Sequence, residues 1–423
     1  MNLSDYKSYF SQQRKYIDKV YWLLYGILII VSILALFSAS STLAFGADGS
    51  TLNPVLNHMI FIALGVAVAF VLQFVPSRYI RLFSYVGLAI SIVLLILTFT
   101  PLGVEINGAK RWIRIFGLTF QPSELAKLNL LLVASSLLSR IKSKEDEKKY
   151  FFIVLGITAV VCGMILIGNL STAVLLGGIV FMLFFLARVN FKYWGTLLLV
   201  AALSLIGGYF YIENVYIKPG VKMGDGSIME RAITWCGRVD DMIVELKTPI
   251  EEITLTDDNY QRIIAKVAVA RGGTSPLGLL PGNSLERDFL PQAFADYIFA
   301  IIVEESGIIG ATFLILLYLA ILFRSCLISS KYADYSATLM VMGLALMLTC
   351  QALVSMMVSV GIGPVTGQPL PLISRGGTSV LITSLYFGII MAVAREQNEL
   401  HDRQQTVESE SEEEVPDLDI SME

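Results

Sequence analysis

"LPQAFADYIFAIIVEESGIIG" (residues 290–310) places one aspartate, Asp296, at the mouth of a long apolar run and two glutamates, Glu304 and Glu305, inside it. Apolar runs of about 20 residues recur along the chain, and a helix needs about that many to cross the ~30 Å hydrocarbon core of a bilayer. An acid in such a run is costly unless it faces protein or a water-filled cavity. Each of the three therefore needs a partner or a task. The 423-residue chain is 55% hydrophobic and only 16% charged, more apolar surface than a soluble protein of this length can hide. The mean hydropathy is +0.69. The fold class implied is an all-α polytopic integral membrane protein. The net charge of -4 is spread over loops and offers no nucleic-acid-binding surface.

Outward from that stretch, about ten transmembrane helices are expected, roughly at 20–45, 56–75, 80–100, 122–139, 151–168, 171–187, 193–212, 294–323, 336–360 and 377–394. Lys7, Arg14, Lys15 and Lys19 place segment 1–19 in the cytoplasm by the positive-inside rule. Arg78 and Arg81, the basic run 140–150, Arg188 with Lys192, Arg324 with Lys331, and Arg395 then all fall inside, so both termini are cytoplasmic. The organisation is a cytoplasmic segment 1–19, helices one to seven over 20–212, one large extracytoplasmic loop 213–293 between helices seven and eight, helices eight to ten over 294–394, and a tail 395–423. The first apolar run is long enough to span, so no cleaved signal peptide is expected. Within the large loop, "GSIMERAITWCGRV" and "NYQRIIAKVAVARGG" have helical apolar spacing and read as amphipathic helices on the outer surface. "GGTSPLGLLPGNS" reads as turns. The tail is acidic and poor in aromatics, which reads as disordered.

Four cysteines without CxxC spacing read as small buried hydrophobes, and two distant histidines exclude a His-based metal site or a Ser-His-Asp triad. Three other constellations can carry chemistry. Loop 101–121 holds Lys110, Arg111 and Arg114 on the outer side, against the charge rule; an anionic ligand or local packing partners would each account for them. In "FQPSELAKL" (120–128), Glu124 and Lys127 share a helix face at i, i+3, as a structural ion pair or facing a cavity. "GPVTGQPLPLISRGGTS" (363–379) interrupts two apolar spans, which is tolerated at membrane depth only where the backbone is buried in protein or lines a cavity. There Ser374 and Thr378 offer hydroxyls, Gly376 and Gly377 permit close approach, and Arg375 offers a fork for phosphate; a re-entrant turn capped by hydroxyls is the other reading. Asp296 lies near a helix start, where the dipole favours an acid, but partial desolvation would raise its pKa toward that of a general base. Glu304 and Glu305 are expected to pair with Lys or Arg of another span.

With "NGAKRWI" (107–113), "FQPSELAKL", "LPQAFADYIFAIIVEESG" and "PVTGQPLPLISRGGTS" in this order, the sequence resembles the SEDS family (shape, elongation, division and sporulation), which includes FtsW, RodA and SpoVE, over nearly its whole length. The "RGGTS" ending and the N-terminal extension resemble the division branch most. The resemblance implies a glycosyltransferase that polymerises lipid II, a disaccharide-pentapeptide on undecaprenyl pyrophosphate, at the outer face of the bacterial cytoplasmic membrane, at the division septum. It implies a class B penicillin-binding protein as transpeptidase partner, among other divisome membrane proteins. It puts the essential aspartate on Asp296 as catalytic base, and substrate contacts on Arg111, Glu124 and Lys127. A divalent cation, Mg or Mn, is the alternative to Arg111 and Lys127 for steadying the leaving pyrophosphate. The sequence departs from the family at Asn169, where an acid is common, at Thr119, where an arginine is common and Lys110 or Arg114 would substitute, and at Arg375, where a tyrosine is common. Two other functions share the substrate or the setting: a lipid II flippase, which needs no general base, and a non-catalytic division scaffold.

Overall fold

The computed structural model describes residues 13–39, 52–106, 109–115, 118–217, 228–248, 255–256, 259–275, 277–280, 283–290, 294–330, 334–364 and 366–413. Its helices, in chain order, are α1 (Lys19–Ala39), α2 (Leu52–Leu72), α3 (Ser77–Leu97), α4 (Pro122–Leu138), α5 (Lys144–Gly168), α6 (Leu170–Leu186), α7 (Phe191–Ile212), α8 (Ile228–Lys247), α9 (Tyr260–Gly273), α10 (Ile298–Ser330), α11 (Tyr335–Ser359) and α12 (Gly377–Glu413). Every apolar run marked in the sequence coincides with one of them. Eight are long and apolar enough to cross a membrane; α4 and α6 are shorter, at 17 residues each.

The helix at the centre is α4. All but one of its residues are buried, Glu124 and Lys127 included. Seventeen residues rise only about 25 Å, short of the ~30 Å core. Enclosure in protein removes the need to match the bilayer. Around it α3, α5, α6 and α11 pack, α10 lies on α11, and α12 lies on α2. At that last contact a Cβ on Gly388 would fall 2.9 Å from Ala69 Cα, so the two helices approach as closely as backbones allow.

Both chain ends meet at one end of the bundle. Lys15 Nζ pairs with Asp402 at 3.1 Å, and Asn398 Nδ2 donates to Tyr16 O at 2.9 Å. The start of α3 lies there too, since Ser77 N donates to Glu396 Oε1 at 2.8 Å. Asp18 accepts from Arg324 at 2.6 Å, tying α10 to the same end.

Four features differ from the sequence reading. Loop 101–121 holds an antiparallel sheet of order β1 (Gly103–Ile106), β2 (Ala109–Ile115), β3 (Leu118–Phe120), the one exception to the all-helical class among the described residues. Trp112 faces Val104 and Arg114 faces Thr119, so the cations sit on a hairpin ribbon whose polar backbone is paired. The expected surface helix α9 instead packs against α10 with Arg262, Ile263, Ala265 and Ala268 buried, while Gly272 meets the Val303 carbonyl, backbone against backbone. The tail is helical through Glu413 rather than disordered from 395. Arg395, which donates to Gln73 O at 3.0 Å and pairs with Glu399 at 3.6 Å, carries the helix on, as does Arg403 with Glu399 at 2.7 Å. Residues 414–423 lie outside the described residues. Finally, α10 begins at Ile298 and breaks at Gly307, where φ is +64°.

That break explains the two glutamates, which do not pair across spans as expected. Leu279 N donates to Glu304 O at 2.9 Å, so a turn of the large loop satisfies the carbonyl that the break frees. The Glu304 carboxylate accepts from Leu285 N at 3.1 Å, Glu286 N at 3.3 Å and Ser284 Oγ. Glu305 takes Ser38 Oγ and lies 3.9 Å from Arg287 of the same loop. The acids bolt loop to helix.

The expectation that loop 213–293 is extracytoplasmic makes a labelling prediction. In intact cells an impermeant maleimide should reach a cysteine placed at exposed Thr256 and miss one placed at exposed Lys144 until the membrane is opened. Labelling of Lys144→Cys from outside would invert or break the proposed topology.

Candidate active site

The chain from α11 to α12 does not run as a helix. Gly361 and Gly367 have φ of +78° and +58°, and Leu372 has +68°. Prolines 364, 369 and 371 lack the N–H groups that a helix would use. Side chains from four helices meet the remaining polar groups. Gln351 Nε2 donates to Pro369 O at 3.1 Å, Tyr318 OH to Pro371 O at 2.5 Å and Ser32 Oγ to Leu372 O at 2.7 Å, while Gln368 Nε2 donates to Thr172 Oγ1 at 2.6 Å. Of the two settings expected for this broken backbone, burial in protein or the lining of a cavity, these bonds show protein partners along 368–372.

The segment is also sewn to the turn that bears Asp296. Ser374 Oγ accepts from Leu370 N at 2.8 Å and donates to Ala295 O at 2.6 Å. Arg375 N donates to Phe294 O at 2.9 Å, and the Arg375 guanidinium lies over the Phe294 ring at 5.1 Å. Burial lowers the Arg375 pKa.

Asp296 is partly exposed and precedes α10 by two residues. Burial raises the pKa of its carboxyl, and the charges of Arg111 on β2 and Arg238 on α8 pull it back down. Gly367 marks where these groups converge. A Cβ there would lie 3.5 Å from Arg111 Nη1 and 4.0 Å from Asp296 Oδ2, so the bare glycine backbone comes close to both cation and carboxylate. Arg111 also lines a cavity of about 20 Å³ with Thr98, Phe99, Ser123, Gly168 and Asn169. Asn169 replaces the acid expected from the family pattern. Its Oδ1 accepts from Thr172 N at 3.2 Å, capping α6, and its Nδ2 is buried with no protein partner.

The remaining residues marked in the sequence do other work. Lys127 is 0% exposed; its Nζ meets Glu124 Oε1 at 2.7 Å and Gln351 Oε1 at 2.9 Å. The pair therefore holds α4 to α11, and through Gln351 to Pro369, rather than facing a ligand. Thr378 Oγ1 donates to Thr119 O at 3.3 Å, joining α12 to the sheet. Gly377 leaves no room for a Cβ, which would lie 2.8 Å from the Phe61 ring, and Gly376 leaves none beside Ser379 Oγ. Lys110 lies on β2, with its side chain outside the described residues. Three contributors escaped the sequence reading: Arg238, one cation among several in the large loop, Gln351, one polar residue in an apolar run, and Gly367, one glycine among four.

No group of three His, Cys, Asp or Glu side chains among the described residues could hold a metal ion. Asp296 is the one carboxylate of the site described here, and arginines stand where a cation would. The donor set does not fit a resident divalent ion.

The arrangement can do two things. A carboxylate held above its usual pKa range can accept a proton from a hydroxyl. Two guanidinium groups beside it can receive negative charge on a phosphate oxygen.

Comparison with known proteins identifies the family and the fold. The family model described as "Cell cycle protein", spanning FtsW, RodA and SpoVE, matches residues 18–399. The chain belongs to this family. It is 29% identical over 377 residues to a probable peptidoglycan glycosyltransferase FtsW of Coxiella burnetii, covering 87% of this chain and 94% of that one. It is 26% identical over 370 residues to the peptidoglycan glycosyltransferase MrdB of Escherichia coli, covering 86% and 92%. Among solved structures, the fold matches a chain of a peptidoglycan synthase complex that coordinates polymerization and crosslinking, with a TM-score of 0.68 at 24% identity over 90% of this chain and 98% of that one. It also matches RodA of Thermus thermophilus, with a TM-score of 0.62 at 24% identity over 90% and 97%.

Breaking the buried pair tests the structural role of Lys127. Lys127→Met strands Glu124 in the core, and loss of one partner of a buried pair costs about 3–5 kcal/mol. Thermal unfolding of the solubilised protein should fall sharply, and the double change Glu124→Gln with Lys127→Met should restore most of the loss. A single variant as stable as the parent but inactive would return Lys127 to the substrate site.

Proposed function

We propose that this member of the FtsW/RodA/SpoVE family polymerises lipid II into glycan strands. The chain is a multi-pass membrane protein and a peptidoglycan glycosyltransferase. The observation that carries the mechanism is Asp296 beside Arg111 and Arg238, facing the glycine turn of a broken membrane segment.

In this mechanism Asp296 takes the proton from the acceptor sugar's 4-hydroxyl as that oxygen attacks the donor's anomeric carbon. The bond to the lipid pyrophosphate breaks, and Arg111 and Arg238 receive the charge that appears on it. One attack from the opposite face inverts the α-linked donor to a β-linked polymer. Both sugars must be held in line, so positioning and charge stabilisation supply much of the rate. Lys127, Ser374 and Thr378 act at one remove, by fixing the segment that faces Asp296. A crosslinking partner, a class B penicillin-binding protein, would take the nascent strand. The site would lie at the outer face of the cytoplasmic membrane, with about ten crossings, both termini cytoplasmic and other divisome membrane proteins nearby at the septum.

Asp296→Asn is nearly isosteric and removes only the proton acceptor. Loss of a positioned base costs about a hundred- to ten-thousand-fold in rate. Purified variant with its partner should bind lipid II and make almost no glycan. Strand synthesis near the parent rate would bring the flippase reading forward.

The pH profile gives an independent check. A base must be deprotonated to work, so activity is full above the raised Asp296 pKa and is lost as pH falls through it. Arg238 lowers that pKa, so Arg238→Gln should move the acidic limb of the rate profile to higher pH. A limb that stays in place would detach Arg238 from the site.

A further inference from the structure

At the end of the bundle away from Asp296, the first turn of α3, the last turn of α4 and the start of α11 enclose a cavity of about 480 Å³. A single water claims about 30 Å³ of liquid, so the space suits a larger polar group. Arg78, Arg81 and Arg140 line it against one acid, Asp334. Asp334 is already occupied, since Oδ1 accepts from Ser336 N at 2.9 Å and Oδ2 pairs with Arg81. Arg78 stacks on the Tyr79 ring at 4.8 Å, and Arg140 Nη2 donates to Tyr85 OH at 3.3 Å. Neither forms an ion pair among the described residues. The cavity therefore keeps two uncompensated positive charges.

A second observation is independent of charge. Ser336 lines the cavity and is 5% exposed, yet its Oγ has no hydrogen-bond partner. A buried hydroxyl without a protein partner is unfavourable, so a ligand oxygen is the expected complement. A third observation concerns the rim. Leu82 lines the cavity while 63% exposed, and Val86, Ile90 and Val93 continue its face along α3 at 58%, 50% and 56% exposure. Eleven residues of helix rise about 16 Å, close to the thickness of one leaflet's hydrocarbon.

We propose that this cavity holds the phosphodiester headgroup of an anionic phospholipid, with an acyl chain laid along the Leu82 face of α3. The leaflet is the cytoplasmic one, given the orientation proposed above. Basic pockets between helices on that side take anionic headgroups. A zwitterionic lipid would bring its own cation against three arginines, and a soluble phosphate would leave the apolar face unused. The three helices that form the cavity carry Thr98, Ser123, Lys127 and Gln351 toward their other ends, so an occupied cavity braces the scaffold of the site.

Native mass spectrometry of the full chain, released from nanodiscs of equal phosphatidylglycerol and phosphatidylcholine, tests this. The parent should retain phosphatidylglycerol in preference. Arg78→Gln with Arg140→Gln should cut that retention roughly twenty-five-fold, at about five-fold per arginine near a membrane surface. Ser336→Ala should also lower retention while leaving thermal stability unchanged or higher, because it removes a hydroxyl with no protein partner; a merely structural serine would do the reverse. Equal retention of the two lipids, or unchanged retention in both variants, would overturn the proposal. So would displacement of the lipid by millimolar inorganic pyrophosphate, which would make the cavity a soluble-phosphate site.

Discussion

Backbone groups in a bilayer cannot be left to water, and that constraint governs this molecule. The chain leaves regular helix at two places, the break at Gly307 and the stretch after α11, and the second of these comes up against the turn that bears Asp296. Both are possible only because other parts of the protein supply the missing partners. Leu279 of the large loop answers the carbonyl of Glu304. Gln351, Tyr318, Ser32 and Ser374 answer groups of the proline-rich segment. The first three of these side chains lie in otherwise apolar helices, and each would be a cost there without the broken backbone that it serves.

The buried acids obey the same rule in different ways. Glu124 is neutralised by a lysine one helical turn away. Glu304 is held by backbone amides and a serine, as an acid at a helix start would be. Asp296 differs from both. Burial raises its pKa, and the charges of Arg111 and Arg238 oppose that rise. In the mechanism proposed above, this balance leaves the carboxylate basic enough to take a proton, with positive charge at hand for a departing phosphate.

Much of this was legible in the sequence because hydropathy in a membrane is a blunt signal. Each apolar run became a helix, and the glycine and proline content of 363–379 marked the broken segment. Asp296 and Arg111 stood out because each broke a rule, an acid in an apolar run and a cation on the outer side. Lys127 broke a rule as well, but for packing. A charged residue in a span has the same appearance whether it meets a ligand or a buried glutamate, and only the three-dimensional partner separates the two. The sheet was hidden because its strands are three to seven residues long inside a loop. The helical tail was hidden because its support comes from residues nearly 400 positions away, through Lys15 and Tyr16. Arg238 had no local signal, since its role depends on where α8 comes to lie.

The sheet brings a cation to Asp296 from outside any helix, since β2 delivers Arg111. A hairpin alone would be a loose mount. The Thr378 hydroxyl ties the sheet, through Thr119 O, to the start of α12. Four residues earlier Ser374 ties the same segment to Ala295, next to Asp296. Gly367 of that segment then lies close to both Arg111 and Asp296. One length of chain, 367–378, thus registers the cation against the carboxylate although they come from a strand and a turn nearly 200 residues apart. Misplacing reacting groups by 1 Å can cost about a hundred-fold in rate. For the mechanism proposed above, the prolines and the serine and threonine bonds of this segment supply the restraint that such a tolerance demands.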